Sequence, residues 1–545
     1  MCGLFCVAPR LAWLSARRRG RLASLFDTAA HRAVTGAGYT MPQSYIKKIL
    51  DARVYDVAIE SPVDEATQLS RRLANRVLLK REDLQPVFSF KLRGAYNKMI
   101  HLSEAERKKG VVAASAGNHA QGLALAALKL GVKATIVMPK TTPQIKVDAV
   151  RSRGGRVVLH GDTYDEASAH AKKLVEEKGM VYVHPYDDPE VIAGQGTVGM
   201  EILRQVTGPL DAVFVPVGGG GLAAGVAAYI KYVRPEVKVI AVEPEDAACL
   251  KVAMEKQRRV RLKDVGIFAD GVAVAQIGKE TFRVLRKTID GVITANTDEI
   301  CAAIKDIFDD TRSIAEPAGA LALAGLKKYV EQQGCEGKTL LAIESGANTN
   351  FDRLRYISER TEIGEQREAI LSVTIAEKPG SFKQFCAALG KRNITEFNYR
   401  YGDDRNAQIF VGVAVAAGGH GRSELVESLQ QLGYPVADMT DNEMAKLHIR
   451  HMVGGHRPAA VAEELLYRFE FPERPGALMN FLTRLGNRWN ISLFHYRNHG
   501  AAYGRVLVGL QAGKGERRAV EVFLDKLAYS YHEETDNLAY QQFLS

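Results

Sequence analysis

Four short strings in this chain gather residue types suited to chemistry on an amine and on anions. The first is Ser89-Phe90-Lys91-Leu92-Arg93-Gly94. A lysine set among Phe88, Phe90 and Leu92 is partly desolvated, which disfavours the ammonium and lowers its pKa. The neutral amine can then attack a carbonyl and form a Schiff base. A lysine that merely snorkels to the surface is the alternative. The second string, Ser115-Ala116-Gly117-Asn118-His119-Ala120-Gln121-Gly122, lies between the apolar run Val111–Ala114 and a small-residue helical pattern carrying Leu123, Leu125 and Leu128. It reads as a turn from strand to helix N-terminus, where backbone N–H groups face an anion such as a carboxylate. Asn118 also reads as a helix cap, and His119 as a structural neighbour. The third, Gly218-Gly219-Gly220-Gly221-Leu222, follows the apolar run Ala212–Val217. Its glycines let amides approach a phosphate closely, ahead of a helix whose positive end follows. The fourth, Leu340-Leu341-Ala342-Ile343-Glu344-Ser345-Gly346-Ala347-Asn348, is another strand ending in a small-residue turn, in which Ser345 alone reads as a turn residue.

The third string has two rival readings. Gly218-x-Gly220-x-x-Ala223, with Glu243 ending the run Val237–Val242, fits a dinucleotide fingerprint and a nicotinamide cofactor. Residues 212–230 also hold no charge, as a membrane span would. The glycine run and Pro216 favour strand, loop and helix instead.

Elements able to position these strings recur from about Tyr45 to Lys328, where short apolar runs alternate with amphipathic helical stretches. Val132–Met138 and Arg156–His160 are two such runs. Between them Thr141-Thr142-Pro143-Gln144 opens a helix, with Thr142 expected as its cap and proline in the first turn. Asp162-Thr163-Tyr164-Asp165-Glu166 begins the next. The pattern is that of a parallel sheet covered on both faces. With 545 residues, 46% hydrophobic and 25% charged, the chain is globular material too long for one ordinary domain. Of its formal net charge of +10, residues 1–40 supply half through six arginines against Asp27. The rest carries no basic patch of the kind that binds nucleic acid. Six scattered cysteines without paired metal spacing fit a reducing compartment. Residues 1–40 have the composition of an organelle transit peptide or of translation assigned from an upstream start, and are expected to be poorly ordered.

Past residue 366 an internal repeat appears. Ile375-Ala376-Glu377-Lys378-Pro379-Gly380-Ser381-Phe382, then Phe385, Leu389-Gly390, Ile394 and Phe397-Asn398-Tyr399-Arg400, is matched by Phe471-Pro472-Glu473-Arg474-Pro475-Gly476-Ala477-Leu478, then Phe481, Leu485-Gly486, Ile491 and Phe494-His495-Tyr496-Arg497. The copies lie 96 residues apart at the start and 97 from Ile394/Ile491 onward. Each gives strand, Pro-Gly turn, amphipathic helix and strand. Period-2 spacing puts Phe397 with Tyr399, and Phe494 with Tyr496, on one face. That face is a candidate site for an apolar amino acid.

The Lys91 string resembles the cofactor-lysine segment of pyridoxal-phosphate enzymes of the tryptophan-synthase-β type, and in particular of threonine dehydratase. The repeats are similar to ACT-like regulatory domains. The likeness to the biosynthetic threonine dehydratases covers about residues 42–545. It implies an α/β architecture: a two-subdomain parallel-sheet catalytic domain of fold type II over 41–365, then tandem α+β ACT-like regulatory domains at 366–445 and 461–545. It implies pyridoxal 5'-phosphate on Lys91, with its phosphate at Gly218, Gly219, Gly220, Gly221 and Leu222. Asn118 faces its phenolic oxygen and Ser345 its pyridine nitrogen. A hydroxyl at that nitrogen leaves a weaker electron sink than a carboxylate would, which suits β-elimination. The substrate carboxylate falls to Ser115, Ala116, Gly117, Asn118 and His119. Implied substrates are L-threonine and L-serine, with isoleucine as inhibitor, valine as a candidate activator, and a cytoplasmic homotetramer, the organelle matrix being the alternative location. Serine racemase-like relatives bind a divalent cation through Glu, a carbonyl and Asp. Here Glu243 and Ala247 are followed by Cys249 at the Asp position, so no metal is expected there.

Overall fold

The computed structural model describes residues 43–545, apart from position 352 and short stretches of the C-terminal third, chiefly 402–404, 417–419, 453–460, 473–476 and 498–502. The extension at residues 1–40 lies outside the described residues.

Strands apolar on both faces build two sheets, with helices between successive strands. In the larger sheet Val63–Glu65, Arg76–Arg81, Thr339–Glu344, Ala212–Pro216, Lys238–Pro244 and Gly291–Ala295 lie side by side in that order. All neighbours are parallel except Val63–Glu65, which runs antiparallel to Arg76–Arg81 at one edge. Being only partly buried, that edge strand needs no continuous apolar run. The smaller sheet orders Arg156–Leu159, Ala134–Met138, Val111–Ala114 and Val181–Tyr182, all parallel. Its chain is one uninterrupted excursion between the second and fourth strands of the larger sheet.

The uncharged stretch 212–230 is strand, glycine turn and the start of helix Gly221–Val233. Among the described residues no helix is long and apolar enough to cross a membrane. Thr163 caps its helix reciprocally with Glu166. Thr142 does not cap the preceding helix: Pro143 is in the cap position with extended backbone, and the helix starts at Gln144. The Thr142 N–H donates to Pro139 O instead. Pro143, expected in the first turn, therefore lies one place outside it.

Each C-terminal repeat folds as strand, helix, two strands, helix and strand. The first uses Glu368–Ala376, Ser381–Ala388, Ile394–Arg400, Asn406–Ala414, His420–Gln431 and Val436–Asp438. The second uses Glu464–Pro472, Ala477–Leu485, Asn490–Arg497, Tyr503–Gln511, Arg517–Leu527 and Ser530–Glu533. All eight strands form one sheet, because Ile394–Arg400 pairs antiparallel with its counterpart Asn490–Arg497. Phe397 lies opposite Tyr496, and Tyr399 opposite Phe494, across the central pair Asn398–His495. That register relates the repeats by a local twofold.

This junction corrects the expected ligand face. Phe397 and Phe494 are fully buried, edge to face with centroids 5.7 Å apart, and both contact Phe382. They are core residues with no open wall for a ligand. Tyr496 packs against the same core. Tyr399 lines a cavity, and its hydroxyl donates to Glu377 Oε2 at 2.7 Å.

Candidate active site

Each of the four strings follows the carboxyl end of a parallel strand, where open α/β sheets carry their ligand clefts. Lys91 opens helix Lys91–Ile100. Its position is set from below by Arg93, whose guanidinium is fully buried and holds Glu82 at 2.8 Å and Glu201 by another arm. Lys80, equally buried, reaches Glu201 at 2.7 Å. Two cations and two carboxylates thus neutralise one another beneath the helix, the pairing that buried charge requires.

From above, the turn before Lys91 is stitched to the turn after Thr339–Glu344. Ser89 and Gly346 form a bridge, the Phe90 N–H donates to Ser345 O, and the Ala347 N–H donates to Phe88 O. Helix Asn118–Leu130 presses so closely on Lys91 that a Cβ on Gly122 would lie 2.8 Å from Leu92 N.

Lys91 Nζ donates to Pro185 O at 3.2 Å and lies 5.1 Å from the Phe90 ring centroid. Burial lowers its pKa to about 8, with the Glu316 carboxylate pulling it partly back up. Phe90 and Leu92 supply apolar cover as expected. Phe88 does not: its positive φ of 55° turns it outward, and it is 52% exposed.

Asn118 is not its helix's cap, since Gly117 holds that place. Its Nδ2 donates to Glu316 Oε1 at 2.5 Å and its Oδ1 accepts from Asn348 Nδ2 at 2.7 Å. Burial pushes Glu316 up to about 7, Asp270 adding to the rise and the Asn118 hydrogen bond opposing it. Nothing in the four strings points to Glu316. The signal that marks it is an acid directly before the helix start Pro317-Ala318-Gly319.

Ser115 Oγ accepts from the Gly117 N–H at 3.3 Å, which tightens the expected carboxylate turn. His119 is buried with Nε2 2.9 Å from Val183 O. Burial and then the Lys91 charge depress it to about 3, so its ring is neutral near pH 7. Ser345 is buried and its hydroxyl donates to Ala318 O at 3.2 Å.

The glycine turn closes the circle. Gly220 has φ +91°, a conformation open to glycine, and caps helix Gly221–Val233 with Leu222 buried in its first turn. A Cβ on Gly219 would lie 2.2 Å from the Tyr186 ring, one residue beyond the carbonyl that holds Lys91. The turn Gly271-Val272 joins both halves: a Cβ on Gly271 would be 3.6 Å from Glu316 Oε1, and one on Gly218 would meet Val272 at 2.8 Å. These contacts link the segments that carry Lys91, Asn118, Ser345 and the glycine turn into one neighbourhood. Glu243 is not part of it. Its buried carboxylate accepts from the N–H groups of Leu250 and Lys251 at 2.7 and 2.8 Å and caps helix Cys249–Glu255, which removes the ribose partner of the dinucleotide reading. A lysine of lowered pKa, a turn at one helix start and a glycine turn at another suit pyridoxal phosphate.

Comparison with known proteins agrees. Residues 54–346 match the family described as pyridoxal-phosphate dependent enzyme, and residues 359–449 and 455–544 match the C-terminal regulatory domain of threonine dehydratase. The chain is 57% identical over 504 residues to L-threonine dehydratase biosynthetic IlvA of Burkholderia multivorans, covering 92% of this chain and 99% of that one. It is 56% identical to the protein of the same name from Escherichia coli, covering 92% and 97%. Among solved structures it resembles the processed form of threonine deaminase isoform 2 from Solanum lycopersicum, with a TM-score of 0.58 and 52% identity over 60% of this chain and 95% of that one.

Proposed function

The chain belongs to the biosynthetic threonine dehydratase family of pyridoxal-phosphate enzymes, and from that premise we propose that it converts L-threonine to 2-oxobutanoate and ammonia and is inhibited by isoleucine. The observation that carries the chemistry is the Lys91 amine, lowered to about 8 and set beside Asn118, Glu316 and Ser345. When bound, the cofactor supplies an electron sink that acidifies the substrate Cα–H. Lys91 would hold it by its aldehyde, Gly218–Leu222 its phosphate, Asn118 its phenolic oxygen and Ser345 its ring nitrogen.

The residues of the chain do the rest. Backbone N–H groups from Ser115 to His119 receive the substrate carboxylate and orient Cα. The Lys91 amine would serve as the base at Cα, and its lowered pKa leaves it neutral often enough to take that proton near pH 7. Glu316 steadies Asn118 and sets the local field through a charge that changes near neutral pH. His119, neutral, donates its Nε2–H to Val183 O, orients its turn and takes no part in proton transfer. Loss of the β-hydroxyl as water yields an enamine. Its hydrolysis consumes one water and releases ammonia and the 2-oxo acid, so the overall reaction is a deamination. L-Serine has the same leaving group and is expected to react.

We assign catalysis to residues 41–365 and regulation to 366–445 and 461–545. Isoleucine acts through the repeats, valine opposes it, and the enzyme is a cytoplasmic homotetramer. Support for the regulatory assignment comes from the match at 359–449 and 455–544. The test is release of ammonia and 2-oxo acid from L-threonine and L-serine, with and without isoleucine, in wild type and Lys91→Ala. The variant loses turnover entirely. Retained turnover in Lys91→Ala would overturn the assignment.

A further inference from the structure

The pair Asn118–Glu316 is completed by a third residue, Asn348, at the end of the fourth string. Asn348 Nδ2 donates to Val87 O at 2.8 Å and to Asn118 Oδ1 at 2.7 Å. A backbone carbonyl only accepts, so the end of the Asn348 amide that faces Val87 must be its NH2 group. The end of Asn118 that faces this NH2 group must then be the oxygen, since two donors cannot bond each other. Asn118 is left with its own NH2 group turned to Glu316 Oε1. That contact uses one of its two N–H bonds, and the other has no partner among the described residues.

Glu316 cannot settle the direction by itself. Its carboxyl is pushed up to about 7, and a carboxyl that gains or loses its proton near neutral pH can either donate or accept. An Asn118 amide turned end for end would still find a bond to Glu316, with its oxygen where Nδ2 now lies. Asn348 removes that choice. It also ties the amide to the turn that leads to Lys91. Phe88 in that turn holds φ +55°, outside the usual range for a residue with a side chain, while Asn348 and Ala347 bond the carbonyls of Val87 and Phe88. The backbone N–H of Asn348 adds its own hold on the charged form of Glu316.

Building on the reading of a pyridoxal-phosphate dehydratase in which Asn118 faces the cofactor's phenolic oxygen, we infer that Asn348 is a positioning residue. It fixes the Asn118 side chain as a donor, so that an N–H and not an oxygen meets the phenolic oxygen. A donor there stabilises the ionised oxygen, whereas an amide oxygen would repel it. The effect of Asn348 on the cofactor passes through Asn118.

The test uses the full-length holoenzyme and reads the absorbance of bound pyridoxal phosphate, which lies at longer wavelength with the phenolic oxygen ionised and at shorter wavelength with it protonated. Asn348→Asp keeps the shape of the side chain and replaces its NH2 group by an acceptor. It moves the absorbance toward the shorter-wavelength band at constant pH and weakens cofactor binding to the apoprotein about tenfold, the scale of one hydrogen bond to a charged group. Asn348→Ala removes the donor without adding an acceptor. It moves both quantities in the same direction by less, and it serves if the first variant does not fold. Asn118→Ala shifts the bands likewise, and the double variant Asn118→Ala/Asn348→Asp matches Asn118→Ala alone. A residue that merely supports the turn would lower stability without moving the bands. Wild-type bands in the Asn348 variants, or single effects that add in the double variant, overturn the positioning role and leave the dehydratase reading standing. Bands unmoved by Asn118→Ala overturn the place given to Asn118 and this role with it. A wild-type chain that takes up no pyridoxal phosphate overturns the dehydratase reading as well.

Discussion

Capture of pyridoxal phosphate by the apoprotein requires an uncharged Lys91 amine, so its rate follows the fraction of Lys91 that has lost its proton. Burial sets that pKa at about 8. At pH 7 about one amine in eleven is then neutral, against about one in 2,500 for a lysine at its ordinary pKa of about 10.4. The gain is on the order of 200-fold in reactive nucleophile. Stopped-flow absorbance at fixed cofactor concentration should show uptake rising about tenfold per pH unit below pH 7 and levelling above about pH 8.5. Glu316 shapes the profile in a definite direction. Its carboxylate favours the Lys91 ammonium, so Glu316→Gln moves the midpoint to lower pH and speeds capture. Because Glu316 is itself pushed up to about 7, it carries most of its charge only above neutral pH, and variant and wild type differ most between about pH 7 and 8. A wild-type midpoint near that of an ordinary lysine, or a Glu316→Gln midpoint above wild type, would refute the reasoning.

Gly219→Ala puts a methyl 2.2 Å from the Tyr186 ring and forces the ring out of place, so cofactor affinity should fall at least tenfold in an equilibrium titration; unchanged affinity means this turn is not the phosphate cradle. Arg93→Met leaves Lys80 as the one cation of this network beside Glu82 and Glu201, and should cost about 3–5 kcal/mol in urea unfolding of the apoprotein. A loss under about 1 kcal/mol would show that the carboxylates relax freely. At the boundary between catalytic region and repeats, half-buried Asp298 holds buried Arg360 at 2.9 Å and buried Lys446 at 2.8 Å. Lys446→Met should weaken isoleucine inhibition by much of a coupling of about 1–3 kcal/mol and leave basal turnover within twofold. Inhibition equal to wild type would place the coupling elsewhere.

What was legible in the sequence was local. Strand, turn and helix start lie within a dozen residues at Val111–Asn118 and Ala212–Leu222, and strand and turn at Leu340–Ser345, so glycine and small-residue punctuation was enough to mark them. Glu316 was invisible because its meaning comes from Asn118, 198 residues away. The ion network under Lys91 was hidden for the same reason, since Arg93 meets Glu201 across 108 residues. Period-2 spacing did put Phe397 and Tyr399 on one face. Periodicity does not say whether that face meets solvent or core, and here Phe382 and Phe385 on helix Ser381–Ala388 of the same repeat cover it. Phe88 was misread as apolar cover because one backbone angle, not residue type, decides where its ring points.

The sheet formed by the two repeats has its long strands in the middle. Its outer strands are Val436–Asp438 and Ser530–Glu533, of three and four residues. An unpaired edge is a template on which further chains can add strands, and short edges blunt it. A lone repeat would instead present the whole length of Ile394–Arg400 or Asn490–Arg497. Joining the copies along those strands spends the adhesive edge inside one polypeptide. Assembly of whole chains through this region is thereby left to helix and sheet faces, which close into finite oligomers, and not to growth of a sheet without end.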